Sequence, residues 1–253
     1  MHPPVPENPT DSVDRAARIL RGARRVAVLT GAGISAESGL ATFRGAGGLW
    51  EGHRVEDVAT PRAFRRDPAL VWRFYHMRRA GLAKVQPNPG HHALVALERR
   101  LGPDAFALVT QNVDGLHQQA GNRNVLEIHG TLRRVRCTGC GAVTDCGTEP
   151  LDEQPVCETC GQLLRPDVVW FEEALPEDVW KKAEDAVARC DCFLVVGTSA
   201  VVYPAAGLID LARMEGAAVV EVNITPSEAS GRVDVLLLGP SGSVLPELIQ
   251  RAR

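Results

Sequence analysis

Four cysteines, Cys137, Cys140, Cys157 and Cys160, form two C-x2-C pairs separated by sixteen residues. Two residues between thiolates let both turn toward one ion, and a second pair at this distance completes a tetrahedron. Four thiolates leave no open coordination position, so the spacing predicts a structural zinc rather than a catalytic one. A second concentration of chemistry lies in "LVTQNVDGLH", where Gln111, Asn112 and Asp114 follow an apolar run, and in "LEIHGT", where His129 follows the next. In doubly wound sheets ligands sit at the carboxyl ends of strands, where these polar residues would stand. Read alone, such a histidine is more often a capped core residue; Asn112 and Asp114 at the neighbouring strand end reverse that balance, and His117 is its nearest rival.

Two further runs end in small polar residues, "VGTSAVVYP" (196–204) with Gly197, Thr198 and Ser199, and "EVNITP" (221–226) with Asn223. The stretch "TGAGISAESG" carries Gly31-x-Gly33-x-x-Ala36 after a short apolar run, a variant of the dinucleotide fingerprint. Its glycines would let backbone N–H groups approach a pyrophosphate closely. The acid expected about 20 residues further on is missing. Finally, "WRFYHMRR" (72–79) puts Tyr75 and Arg78 three apart, on one face of a helix. From composition alone this is a solvated helix surface.

These residues need a scaffold. The chain has 253 residues, 45% of them apolar, enough for one large α/β domain with a smaller insert. Apolar runs at 25–30, 105–110, 124–128, 192–199, 217–223 and 233–239 read as buried strands, and helical patterns separate many of them. Strand–helix alternation predicts a Rossmann-like doubly wound parallel sheet, with ligands at the carboxyl ends of its strands. Residues 11–44, 91–130 and 166–253 are assigned to that lobe. Residues 45–90, with no convincing strand, read as a helical insert and 131–165 as a zinc-ribbon insert, together forming a smaller lobe.

Net charge is −3, from 28 basic and 31 acidic residues, which argues against nucleic-acid binding by bulk charge. The ribbon is not basic either: residues 131–165 hold four arginines and five acids. No run approaches the about 18 apolar residues of a membrane helix, and the Pro-rich start has no secretion pattern. Seven cysteines without such a pattern favour metal over disulfides. The expectation is a cytoplasmic protein. Cys146 reads as a bystander to the zinc site, and Cys190 and Cys192 as core thiols.

In this order, "GAGISAESGLATFRG", "TQNVDGLH", "IHGTL", "CTGC…CETC", "RPDVVWF", "VVGTSAVVYPA" and "VNIT" resemble the sirtuins, NAD-dependent protein-lysine deacylases, from about residue 14 to 250. The resemblance implies acyl transfer from lysine to ADP-ribose, releasing nicotinamide and O-acyl-ADP-ribose, on acyl-lysine protein substrates. It implies that Gly31, Ala32, Gly33 and Ser35 line the NAD loop. Phe43 and Arg44 lie on a cofactor loop, and Gln111, Asn112 and Asp114 hold the nicotinamide-ribose region. His129 is the general base. Gly197, Thr198, Ser199, Asn223 and Ser241 contact the adenosine half. Val168, Val169, Trp170 and Phe171 pair with the substrate peptide as an added strand. Glu172 stands where the family often has glycine, and Leu40 and Ala41 also depart from the common pattern.

"EDVATP" (56–61) and "FYHMRR" (74–79) are similar to the desuccinylase-type branch. That resemblance implies that Tyr75 and Arg78 bind an acidic acyl chain, succinyl, malonyl or glutaryl, while Ala59 widens the pocket. Arg73 and Arg79, offset from the Tyr75 face, are expected at the surface. Two other classes stay open: a mono-ADP-ribosyltransferase on the same site, and a zinc-ribbon nucleic-acid-binding protein.

Overall fold

The computed structural model describes residues 9–40, 49–50 and 53–253. Phe43 and Arg44, expected on a cofactor loop, and Ala41 lie outside the described residues. Among those described, no helix is long and apolar enough to cross a membrane.

The chain opens with α1 (Pro9–Gly22) and β1 (Val26–Thr30), followed by the short α2 (Ala32–Ala36). A two-residue antiparallel pair, β2 (Leu49–Trp50) and β3 (His53–Arg54), comes next, in a region that reads as strand-free in sequence. Then follow α3 (Pro61–Arg66), α4 (Pro68–Leu82) and α5 (Pro89–Leu101). Each of these three helices has proline in its first turn, and Thr60, Asp67 and Asn88 accept N-cap hydrogen bonds. Next are β4 (Phe106–Thr110), α6 (Leu116–Ala120), β5 (Val125–Glu127), β6 (Gly130–Cys137), β7 (Val143–Asp145) and β8 (Leu164–Val168). The chain closes with α7 (Glu177–Ala188), β9 (Cys192–Val196), α8 (Gly207–Met214), β10 (Ala218–Asn223), β11 (Val235–Leu238) and α9 (Ser241–Arg251).

Six strands form a parallel sheet in the order β11-β10-β9-β1-β4-β5. Burial on both faces explains the near-continuous apolar runs. Because side chains alternate across a strand, β1 sends Val26 and Val28 into a core with α1, α5 and α9. Its Ala27 and Leu29 enter the opposite core, with α7 and α8.

A separate antiparallel sheet, β7-β6-β8, spans Gly130 to Val168. It shares a third apolar core with α3 and α4, built on Phe64, Trp72, Phe74, Tyr75, Leu132, Val135 and Trp170. The passage between the sheets is tight. Gly130 adopts φ 74, and a Cβ there would lie 2.2 Å from the Asp167 carbonyl, so only glycine fits. His129 is the residue just before that turn.

Candidate functional site

The glycine turn after β1 packs against the turn after β9. A Cβ on Gly33 would come within 2.7 Å of Gly197 Cα, and one on Gly197 within 2.4 Å of Ile34 N. The N–H groups of Gly31 and Gly33 donate to the carbonyls of Val196 and Gly197, at 3.0 and 2.8 Å. These glycines therefore permit the close approach of two protein turns. The N–H groups of Gly31 and Gly33 are therefore spent on the neighbouring turn.

Around this crossing the strand ends assemble one hydrogen-bonded network. Asn112, after β4 and buried, donates from Nδ2 to the Gly31 carbonyl (3.0 Å) and to Ser35 Oγ (3.2 Å). Ser35 Oγ donates to Asp114 Oδ2 at 2.8 Å, and the Leu116 N–H to Asp114 Oδ1 at 2.9 Å. Burial pushes the Asp114 carboxyl up, against the pull of those hydrogen bonds and of the Arg78 charge. Gln111 Nε2 donates to Thr198 Oγ1 at 3.0 Å, and Asn223 Nδ2 to the Thr198 carbonyl at 2.8 Å. Ser199 accepts on its carbonyl from the Glu228 N–H. The carboxyl ends of β4, β9 and β10 thus meet, as sheet topology requires. Ser241 stands at the start of α9, where its hydroxyl and the Gly242 N–H both donate to Glu37 Oε2, at 3.1 and 2.7 Å.

His129 is half-buried, with Nδ1 3.1 Å from the Gln111 carbonyl. A carbonyl only accepts, so Nδ1 carries the proton and Nε2 the lone pair. Burial lowers its pKa, although the Gln111 contact opposes the shift. The ring is thus neutral at pH 7 and oriented as a base. Its rival His117 is buried, with Nε2 3.0 Å from Thr30 Oγ1 in the interior beside His91. Burial drives its pKa well below the usual value, as a core histidine.

On α4, Tyr75 is 2% exposed and its hydroxyl accepts from Trp170 Nε1 at 2.8 Å. Burial pushes the phenol up to about 12. Arg78 is half-buried, 5.6 Å from the Phe74 ring centre. Burial lowers its pKa, and interaction with Tyr75 and Asp114 opposes that shift. Ala59 is buried, and its carbonyl accepts from the Phe171 N–H at 3.0 Å. Arg73 is exposed as expected. Arg79 is not: it is 3% exposed and donates to the carbonyls of Leu132 and Glu149. The surface expectation for Arg79 fails because the Leu132 carbonyl of β6 and the Glu149 carbonyl beyond β7 meet its guanidinium, which helix periodicity cannot reveal.

After β8, the Val169 N–H donates to the His129 carbonyl at 2.9 Å. Val168 and Trp170 are buried, and Phe171 is exposed. Arg165 donates to both oxygens of Glu173 (2.6 and 2.8 Å) and lies 3.4 Å from the Trp170 ring centre. Sequence reasoning missed this anchor. Its only signal was the doublet Glu172-Glu173.

The four cysteine sulfurs lie within 4.8 Å of one another, with Cys137 and Cys160 at 3.3 Å and Cys140 and Cys157 at 3.8 Å. Sulfurs bound at about 2.3 Å around one tetrahedral ion stand about 3.8 Å apart, so this donor set fits zinc. The N–H groups of Cys140 and Gly139 draw the Cys137 thiol down to about 6, toward the thiolate a metal needs. Cys146 stands apart, its thiol on the Arg133 carbonyl, and Cys190 and Cys192 are buried thiols.

A doubly wound sheet joined through one histidine to a four-thiolate lobe defines the class of this protein. Residues 31–204 match the Sir2 family, and the chain belongs to it. It is 49% identical over 237 residues to the NAD-dependent protein deacylase 2 of Pyrobaculum aerophilum, covering 94% of each chain. It is 51% identical over 223 residues to the NAD-dependent protein deacylase of Thermus thermophilus, covering 86% of each. Among solved structures, a Sir2 homologue–NAD complex superposes with a TM-score of 0.88 at 42% identity, over 95% of this chain and 93% of that one. A Sir2 protein bound to a myristoylated histone peptide superposes at 0.78 and 36% identity, over 96% and 97%.

Proposed function

We propose that the chain is an NAD-dependent protein-lysine deacylase that accepts acyl chains ending in a carboxylate, succinyl, malonyl or glutaryl, besides acetyl. It transfers the acyl group to ADP-ribose and releases nicotinamide and O-acyl-ADP-ribose. The activity is supported by the names of relatives such as the Pyrobaculum deacylase. The NAD site is supported by the donor set: hydroxyls, amides and one carboxylate converge at the strand ends, suited to ribose hydroxyls and phosphates. In this reading Gly31, Ala32, Gly33 and Ser35 shape the NAD loop, with Phe43 and Arg44 over it. Gln111, Asn112 and Asp114 hold the nicotinamide ribose, and Gly197, Thr198, Ser199, Asn223 and Ser241 the adenosine half.

Bound NAD supplies a ribose carbon that becomes electrophilic as nicotinamide leaves. His129 Nε2, with its lone pair fixed by the Gln111 carbonyl, takes the proton from a ribose hydroxyl. Val168, Val169, Trp170 and Phe171 align the substrate peptide as an added strand. Cys137, Cys140, Cys157 and Cys160 hold one Zn2+, whose filled coordination sphere supplies stability alone. The NAD lobe comprises 11–44, 91–130 and 166–253, and the small lobe 45–90 and 131–165; the separate core of α3, α4 and the small sheet supports two lobes, and it also takes in Val168 and Trp170 at the boundary. A cytoplasmic location fits seven free thiols.

The acyl preference rests on one observation: Tyr75, buried in one apolar core with Ala59, stands three residues before half-buried Arg78 on α4. The Tyr75 oxygen accepts from Trp170, which leaves its own O–H to donate. An arginine fork and a phenol together match a carboxylate. Nicotinamide release should be measured on acetyl-, succinyl- and propionyl-lysine peptides. Arg78→Met should lower desuccinylation about 30-fold, the scale of a charged hydrogen bond, and deacetylation far less. Equal losses would exclude the clamp.

A further inference from the structure

Among the described residues, Glu172 and Ala200 are the non-glycine positions with left-handed φ, and Glu172 has φ 75. It occupies the third position of a turn closed by the Glu173 N–H donating to the Trp170 carbonyl at 3.1 Å. Glycine adopts that conformation freely, whereas a side chain is strained there. The turn does not need Glu172 to hold it. Glu173 performs that task, accepting from the Trp170 N–H at 2.8 Å and from Arg165. The Phe171 N–H ties the same turn to the Ala59 carbonyl.

That tie brings the turn beside the start of α3, and Arg62 Nη2 stands 3.2 Å from Glu172 Oε1. The two side chains are 63% and 49% exposed. An ion pair this open adds little stability and exchanges partners readily. Strain without a stabilising return, at the end of the strand assigned to the peptide, calls for a different reason.

We propose that Arg62 and Glu172 form a charge couple at the peptide mouth that reads the residue flanking the acyl-lysine and favours a basic one. The inference rests on the deacylase reading and on the peptide strand at 168–171. Glu172 belongs to the turn that directly continues that strand, while Arg62 reaches it from α3. A lysine or arginine beside the acyl-lysine takes the place of Arg62 on the carboxylate. An acidic neighbour meets Glu172 first and is disfavoured.

The test uses the full chain and peptides bearing one acyl-lysine, with Lys, Gln or Glu at each of the two positions on either side. The readout is the Lys-to-Glu ratio of kcat/KM within each enzyme, so a uniform loss of activity cancels. At the best position the wild-type ratio should be about fivefold, the upper range for an exposed pair. Glu172→Gln should bring it to one or below, Arg62→Gln should widen it, and 1 M salt should collapse it. Glu172→Gly should melt no lower than wild type, and a clear fall would give Glu172 a structural role instead. Normal turnover with flat ratios at every position, or a ratio unmoved by Glu172→Gln, overturns the charge couple alone. No turnover of any peptide overturns the deacylase reading and this inference with it.

Discussion

Arg78 and Arg79 are neighbours in one helix, yet they meet opposite surroundings. Arg79 is buried under α4 with both arms on carbonyls of the small lobe. Arg78 is half-buried, 5.6 Å from the Phe74 ring centre, and its charge interacts with Tyr75 and Asp114. The same division runs through the whole site. The strand-end network of Ser35, Asn112, Asp114, Gln111 and Thr198 is closed, each group held by another. Arg78 on α4 and Glu172 in its turn instead carry charge at less buried positions. In the proposed reaction, the closed network serves chemistry common to every acyl group, and these charges serve choice among substrates.

The contrast can be broken at several points. Loss of the small lobe beneath α4 should have the largest effect. Cys157→Ala, or zinc removal by a chelator, should abolish metal binding and hydrogen-exchange protection across 130–168, and with it all turnover. Full protection and activity without metal would detach the thiolates from the fold. His129→Ala should lower turnover of every acyl peptide by about 10²–10⁴-fold and alike, with NAD still bound in calorimetry. A loss confined to one acyl group would place His129 with the selective residues instead. Arg79→Leu leaves the buried Leu132 carbonyl and that of Glu149 without this donor and should cost about 2 kcal/mol of stability, with an unchanged succinyl-to-acetyl ratio. A shifted ratio would merge the two arginines into one function.

A separate effect concerns pH. Burial pushes His91 down to about 4 and His117 well below its usual value. Both stay neutral when folded, while the unfolded chain protonates them near 6.5. The unfolded state then binds more protons, so stability falls as pH drops from about 6.5 toward 4. The slope is up to about 1.4 kcal/mol per pH unit for each histidine. Thermal melts from pH 8 to 4 would show it, and a flat profile above pH 4.5 would refute it.

Much of this was legible in the chain. The apolar runs sit where β1, β4, β5, β9, β10 and β11 lie, because the central strands are buried on both faces and so are mostly apolar. The C-x2-C spacing located the thiolate cluster, since two residues between cysteines already orient both sulfurs. The strand-end polar residues were found for a similar reason, because a parallel sheet puts every such end on one side. Helix spacing likewise paired Tyr75 with Arg78. It could not tell that Arg79 turns inward, because helical periodicity says which residues share a face and nothing about what packs on it.

The sequence by itself determined the parallel sheet, the metal-ligand set and the identity of the polar groups at the strand ends. Each follows from local spacing and composition. Only the tertiary structure decided that the Gly31 and Gly33 amides are used on the neighbouring turn. It alone fixed the His129 tautomer through the Gln111 carbonyl, and it alone set Glu172 against Arg62 across 110 positions of chain. These outcomes depend on partners distant in sequence, whose approach is set by packing of whole elements and is written in no short motif.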